Sequence, residues 1–283
     1  MAEGIFSELV EGLQKTLVEK KWTPTPVQEA SQSAIASGKD RLVIAPTGSG
    51  KTMAAMLPLL DRAIRSEWEG MSILYITPLR ALNRDVDRRL EEVVSSVGLT
   101  LGLRHGDTKQ SERTKQVRKP PNVMITTPET FQLMFTGSKI RELLRTVEAV
   151  IIDEVHELAA GERGWQLSVG ISRLEQFKGS TIQKVGLSAT VGNPEQVAKW
   201  LSKDGEAIIA EAPRITELNV DAIIPLPEDE IGSLELAISP RAHATLRGLA
   251  EIVTNNNPCL IFVNSRNSEG GTGFIQVEKE INN

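Results

Sequence analysis

The stretch Ala45-Pro46-Thr47-Gly48-Ser49-Gly50-Lys51-Thr52 directly follows the apolar run Leu42-Val43-Ile44. A strand that runs into a Gly-rich turn and then a helix is how a polyphosphate cradle is built. Glycines let backbone N–H groups close in on phosphate oxygens, and a helix N-terminus adds partial positive charge. Pro46, Thr47, Gly48, Ser49 and Gly50 would line such a cradle. Lys51 can then reach the β- and γ-phosphates, and the Thr52 hydroxyl can hold Mg²⁺. The plain alternative is a turn with a solvated lysine. A second run, Val150-Ile151-Ile152, delivers Asp153 and Glu154, followed by Val155 and His156. Asp153 is placed to hold Mg²⁺, directly or through water, and Glu154 to orient a water and accept its proton. An acidic pair at a strand end means little alone; after a Lys-Thr phosphate loop it reads as a triphosphate site. His156 is either an exposed loop histidine or a link to a second site.

Further polar groups end other apolar runs. Ser188-Ala189-Thr190 brings two hydroxyls that can bond the carboxylate pair and relay its state, or simply caps the next helix. Upstream, Trp22-Thr23-Pro24-Thr25-Pro26-Val27-Gln28 is a Pro-rigidified entry to a helix. The Gln28 amide both donates and accepts, which suits the N6/N7 edge of adenine and makes ATP the expected nucleotide. Thr77-Pro78-Leu79-Arg80-Ala81-Leu82-Asn83-Arg84 couples a helix start to two arginines. Arg104-His105-Gly106-Asp107-Thr108 and Thr126-Thr127-Pro128-Glu129 repeat the arrangement. Each alone is a capped helix start. Together, Pro78, Arg80, Arg84, His105, Gly106, Thr127 and Pro128 form a candidate track for a nucleic-acid backbone. The four tryptophans (22, 68, 165 and 200) read mostly as packing residues, with Trp165 a candidate groove residue.

Seven short runs must position these groups: Leu42–Ala45, Ile73–Ile76, Leu101–Leu103, Val123–Thr126, Val150–Ile152, Val185–Leu187 and Ala207–Ala210. Several are apolar without alternation, as strands covered on both faces are. Helical patterns lie between them, for example Lys51–Arg65, Leu79–Val97 and a helix opened by Asn193-Pro194. Ile5, Leu9, Leu13 and Leu17 predict one amphipathic helix at the start. Alternation of this kind predicts a doubly wound α/β domain with ligands at the carboxyl ends of its strands. Beyond Glu211, Pro225–Glu230 reads as linker and loop, Val220–Ile224 and Leu260–Val263 as strands, and Ser239-Pro240 as the start of a helix to about Asn255.

The bulk numbers restrict the partners. The chain has 283 residues, 40% of them apolar, with 32 basic against 37 acidic groups and a net charge of −5. That excludes a basic nucleic-acid coat, so a strand would be held by local contacts. Cys259 is the only cysteine, which rules out an internal disulfide and reads as a small buried apolar residue. No run approaches membrane-spanning length, and the start lacks a signal-peptide core, so a soluble cytoplasmic protein is expected.

In this order, the residues resemble the motif set of superfamily 2 helicases. Gln28 falls in the Q motif and Ala45–Thr52 in motif I, where Ala45 replaces the usual first glycine in the form typical of that superfamily. Thr77–Arg84 matches motif Ia, Thr126–Glu129 Ib, Asp153–His156 the DExH form of motif II, Ser188–Thr190 motif III and Leu260–Arg266 motif IV. The strings PLRALNRDV, RHGDT, ITTPET, IIDEVHEL and GLSATVGNPEQVAKWL resemble the Lhr (large helicase-related) family of archaea and bacteria. The likeness covers about residues 20–265. It implies ATP-driven 3′-to-5′ movement on single-stranded or forked DNA, unwinding of duplexes or RNA–DNA hybrids, and a role in repair or recombination. An RNA helicase of the Ski2 type would share the pocket. The implied architecture is an α/β, RecA-like P-loop domain over residues 1–212, then a linker and the start of a second RecA-like domain over 213–283. Motifs V and VI, which carry the second domain's arginines, have no counterpart, and the tail from Ser268 leaves the family pattern. The expectation is a truncated helicase that keeps ATP and DNA binding but not unwinding, with a non-catalytic binding module as the alternative.

Overall fold

Alternate side chains of the strands face opposite ways, and here both sets are apolar. Val43, Tyr75, Ile125, Ile151 and Leu187 enter one buried cluster, while Leu42, Leu74, Met124, Val150 and Ile152 enter another. A sheet with two apolar faces must be covered by helices on both. The computed structural model, which describes residues 4–78, 84–159, 161–189, 191–210 and 223–255, has that arrangement. In chain order, α1 (Glu11–Glu19) and α2 (Pro26–Ala36) precede β1 (Arg41–Ile44). There follow α3 (Lys51–Arg65), β2 (Ile73–Ile76), α4 (Arg84–Ser95), β3 (Leu101–Arg104), α5 (Gln110–Arg118) and β4 (Val123–Thr126). Next come α6 (Pro128–Met134), α7 (Ser138–Leu143), β5 (Ala149–Ile152), α8 (Val155–Ala159) and α9 (Glu162–Lys178). β6 (Gln183–Ser188), α10 (Pro194–Leu201) and β7 (Glu206–Ile209) complete the layer set.

The seven strands form one sheet in the order β3-β4-β2-β5-β6-β1-β7. All six pairings are parallel. Every carboxyl end therefore lies on one edge, which is where the expected α/β architecture puts its ligands. β6 runs between β1 and β5, so the strand ending in Ser188 separates the Lys51 loop from the Asp153 strand. Helices α1 to α4 contribute to one apolar cluster and α6, α8, α9 and α10 to the other.

Three expectations change. The predicted opening helix is split into a 3-10 turn, Gly4–Glu8, and α1. Val10 at the break is extended (φ −59°, ψ 148°), and its N–H donates to Asp61 Oδ1 on α3 at 2.7 Å. That bond fixes the break to the neighbouring helix. The helix predicted to run to Val97 ends at Ser95 as α4 (Arg84–Ser95), and its predicted first residues, 79–83, lie outside the described residues. Finally, Pro227–Glu230 is not loop but the first turn of α11 (Pro227–Leu236). Pro227 stands at the first helical position, Asp229 accepts from the Leu226 N–H at 2.7 Å, and three acidic residues complement the helix N-terminus.

The chain divides into two compact units, Met1–Pro213 and Arg214–Asn283. In the second, α11 pairs with α12 (Pro240–Asn255), the helix expected after Ser239-Pro240. Asp229 is fully buried and accepts from Arg247 twice at 3.1 Å, with His243 Nδ1 at 2.7 Å. Arg247 first, then the Leu226 N–H, hold its carboxyl far below the ordinary aspartate value. The predicted strand Leu260–Val263, Cys259 and most of Val220–Ile224 lie outside the described residues. No helix among the described residues is long and apolar enough to cross a membrane.

Candidate functional site

The loop after β1 turns into α3 through two left-handed glycines, Gly48 (φ +80°) and Gly50 (φ +94°). Gly50 is the residue before the helix, and a Cβ there would meet Gln28 Nε2 at 2.8 Å. Only glycine fits both that conformation and that approach. Pro46, Ser49 and Gly50 are half-buried, while Thr47 and Gly48 form the exposed tip. Lys51 is buried at 9% exposure and donates to the carbonyls of Ala45 at 2.7 Å and Pro46 at 3.0 Å. Its ammonium is thus folded back along the inside of the loop.

Gln28 is tied to the loop. Its Oε1 accepts from the Thr25 N–H at 3.1 Å and its Nε2 donates to the Gly50 carbonyl at 3.4 Å. An amide has two lone pairs and two N–H bonds, so a donor and an acceptor function remain on the same group. The hydroxyl oxygens of Ser49 and Thr25 are buried without a hydrogen-bond partner. Buried hydroxyls in that state are costly, and they flank the glycine turn. This is the donor set a phosphate group fits.

Across β6, Asp153 leaves β5 with its N–H on the Ile76 carbonyl at 2.8 Å. Its Oδ1 accepts from the Glu154 N–H at 2.9 Å. Its Oδ2 accepts from the Tyr75 hydroxyl at 2.5 Å. Tyr75 is fully buried on β2, and its phenol also interacts with the Thr52 side chain. Burial, then the Asp153 charge, push the phenol well above the ordinary tyrosine value, so it stays a donor. The two side chains expected to hold Mg²⁺, Thr52 and Asp153, are therefore joined through Tyr75. Sequence reasoning missed this residue; the one signal was that it is the only tyrosine in the chain.

Glu154 has a left-handed backbone (φ +49°), a conformation that costs a non-glycine residue on the order of 1 kcal/mol. Burial, and next the Asp153 carboxylate, raise its carboxyl above the ordinary value, with His156 and Lys51 opposing. His156 sits on α8, its Nδ1 3.1 Å from Ser188 Oγ and 3.5 Å from Glu154 Oε2. The expected bond from Ser188 to the carboxylate pair is corrected accordingly: the hydroxyl meets His156, and the ring stands between it and Glu154. Ser188 is fully buried, and its carbonyl accepts from the Ala45 N–H at 3.2 Å. Ala189 is half-buried in the bend that follows; Thr190 lies outside the described residues.

The candidate track is partly visible. Thr77 and Pro78 are buried at the end of β2, Arg84 opens α4, and Arg80 lies outside the described residues. His105 Nδ1 accepts from the Asp107 N–H at 3.2 Å, and Gly106 is exposed beside it. Thr127 is buried as the N-cap of α6, accepting from the Thr130 N–H at 3.3 Å, with Pro128 at the first helical position. The Thr127 hydroxyl is spent on that cap, Pro128 has no N–H, and the Glu129 N–H is held by its own carboxylate. Trp165 is 66% exposed and lines a groove of about 820 Å³ that also includes His156, Asn193 and Gln196.

Comparison with known proteins follows the same residues. The family model for the DEAD/DEAH box helicase matches residues 25–197. The Lhr helicase/probable uracil glycosylase of Mycolicibacterium smegmatis is 38% identical over 259 residues, 86% of this chain and 17% of that protein. The ATP-dependent helicase Lhr-Core of Methanothermobacter thermautotrophicus is 35% identical over 86% of this chain and 30% of its own length. The chain thus spans under a third of either relative. Among solved structures, Mycobacterium smegmatis helicase Lhr bound to ssDNA and AMP-PNP superposes with a TM-score of 0.77 at 33% identity, over 98% of this chain and 36% of that one.

Proposed function

The chain belongs to the DEAD/DEAH box helicase family, and from that premise we propose that it binds ATP with Mg²⁺ at the β1–α3 loop and uses its hydrolysis to move on a nucleic-acid strand. The observation that carries this reading is the convergence of Lys51, Asp153 and Glu154 on one sheet edge, with Ser188 on the strand between them. Residues 1–212 would act as the ATP-binding domain. Lys51 exchanges the Ala45 and Pro46 carbonyls for phosphate oxygens, a charge-assisted replacement. The Ser49 hydroxyl and the N–H groups at the start of α3 complete the cradle. Gln28 keeps its bonds to Thr25 and Gly50 and offers its remaining N–H and lone pair to adenine.

Thr52 and Asp153 would hold the Mg²⁺, with Tyr75 fixing the carboxylate. The ion, when bound, neutralises charge developing on the transferred phosphoryl group. Glu154, whose carboxyl is raised by burial, orients water and takes its proton. His156 reports the state of Glu154 to Ser188, and so to the strand beside the phosphate loop. Thr127 at the entry to α6 and the exposed Gly106 in the loop after β3 meet the strand. Single-stranded DNA is the favoured substrate by analogy with the structural relative at 33% identity.

The test is phosphate release with no strand, with single-stranded DNA and with RNA of the same sequence, beside Lys51→Ala. Release that a strand raises above the Lys51→Ala level is expected, more by DNA than by RNA. Parent and variant equally inactive, with ATP still bound by the parent, contradict the motor and leave a binding module.

A further inference from the structure

Most of the exposed arginines in the first unit whose partners are defined lie against carboxylates: Arg65 on Asp61, Arg88 on Glu92, Arg145 on Glu142 and Arg163 on Glu129. One cleft departs from that rule. A cavity of about 450 Å³ beside α5 and α7 is lined by Arg104, Arg113, Arg118 and Lys139, and no carboxylate is among its lining residues. That puts four cations together in a chain whose net charge is −5. Arg104 is 8% exposed, and its Nη1 reaches a neutral acceptor, Gln116 Oε1, at 3.2 Å. Arg113 donates to the backbone carbonyls of Thr108, His105 and Gly106. None of these four bonds neutralises a charge. Burial, and then Arg113, hold the Arg104 guanidinium below its ordinary value. Two arginines close together and partly desolvated repel one another, and an anion between them removes that cost.

We infer that this cleft is a second phosphate-binding subsite, which takes the phosphodiester backbone of a nucleic-acid strand as it leaves the strand ends of β3 and β4. The inference rests on the nucleic-acid reading above. Position selects that class of ligand: Arg104 ends β3 in register with Thr126 at the end of β4, and Thr127 follows directly. The loop His105–Thr108, already a candidate for strand contact, is held in shape by Arg113. A strand that meets the start of α6 and Gly106 passes beside Arg104. Guanidinium forks match phosphate oxygens in pairs, and because the backbone is the feature recognised, DNA and RNA are both accepted.

The test uses the full chain and labelled single strands of DNA and RNA of one sequence, followed by fluorescence anisotropy across a salt series. Arg118→Glu/Lys139→Glu changes two exposed side chains, and an unchanged Tm verifies the fold. Lys15→Glu/Lys203→Glu makes the same change in net charge at exposed positions elsewhere. The expected result is an affinity about tenfold lower for both strands and a salt slope shallower by about 1.4, roughly 0.7 per lost phosphate contact, with the control pair close to wild type. Wild-type affinity and slope in the cleft variant overturn the subsite, as does an equal loss in the control. If the wild-type chain binds neither strand, the nucleic-acid reading itself fails.

Discussion

Glu154 carries two costs at one position. It holds a left-handed backbone, and burial raises its carboxyl above the ordinary value of 4.5. The folded state then holds that proton more tightly than the unfolded chain does. Its contribution is most favourable below about pH 4.5 and is lost as pH rises through the folded value. At neutral pH an ionised Glu154 destabilises the fold, and Glu154→Gln removes that burden. Differential scanning fluorimetry should show the variant's Tm about 2 °C higher near pH 7.5, with no gain near pH 4. Phosphate release should fall to the background level. The positions of Lys51, Asp153 and Glu154 at the carboxyl ends of their strands were legible in the sequence because a Gly-rich turn and an acidic strand end are local patterns. Tyr75 was not, since its contact with Asp153 crosses between strands and bridges 78 positions of sequence. The partner of Ser188 was misjudged for the same reason: His156 stands 32 positions away and reaches it only once α8 folds over β6.

At the level of elements, the helix starts carry much of the expected strand contact, and α6 tests this. Thr127 caps that helix, so Thr127→Ala should cost about 1 kcal/mol and lower Tm by about 3 °C, read by thermal melting. Aspartate is an equally good cap but places a negative charge where a phosphate is expected. Thr127→Asp should therefore keep Tm within about 1 °C while weakening strand binding several-fold in an anisotropy titration. A variant that melts normally and binds normally would remove α6 from the track. The seven strands were legible because the inner strands β1, β2, β4 and β5 are mostly apolar and buried along their whole length and the others are short apolar runs between helical patterns. The start of α11 was not. Pro225-Leu226-Pro227-Glu228-Asp229-Glu230 reads as loop until Asp229 is seen to accept from the Leu226 N–H and to meet Arg247 from α12, a contact that only folding supplies.

For the whole molecule, topology explains why distant motifs meet at one edge. An all-parallel sheet collects every carboxyl end on one edge, and the order β5-β6-β1 sets the acidic strand two places from the phosphate loop. The net charge of −5 argues against a diffuse attraction to nucleic acid, so the proposed strand binding requires built contacts, for which the cluster at Arg104 is the candidate. Those contacts matter to a motor only if a triphosphate is held at the same edge. Isothermal titration of the wild-type chain and Lys51→Ala with a non-hydrolysable ATP analogue and Mg²⁺ measures that directly. The expected outcome is saturable binding by wild type and an affinity about 30-fold lower in the variant, the loss of one charge-assisted contact to phosphate. Equal affinity in the two chains would mean that Lys51 does not meet a phosphate and that the loop is only a turn.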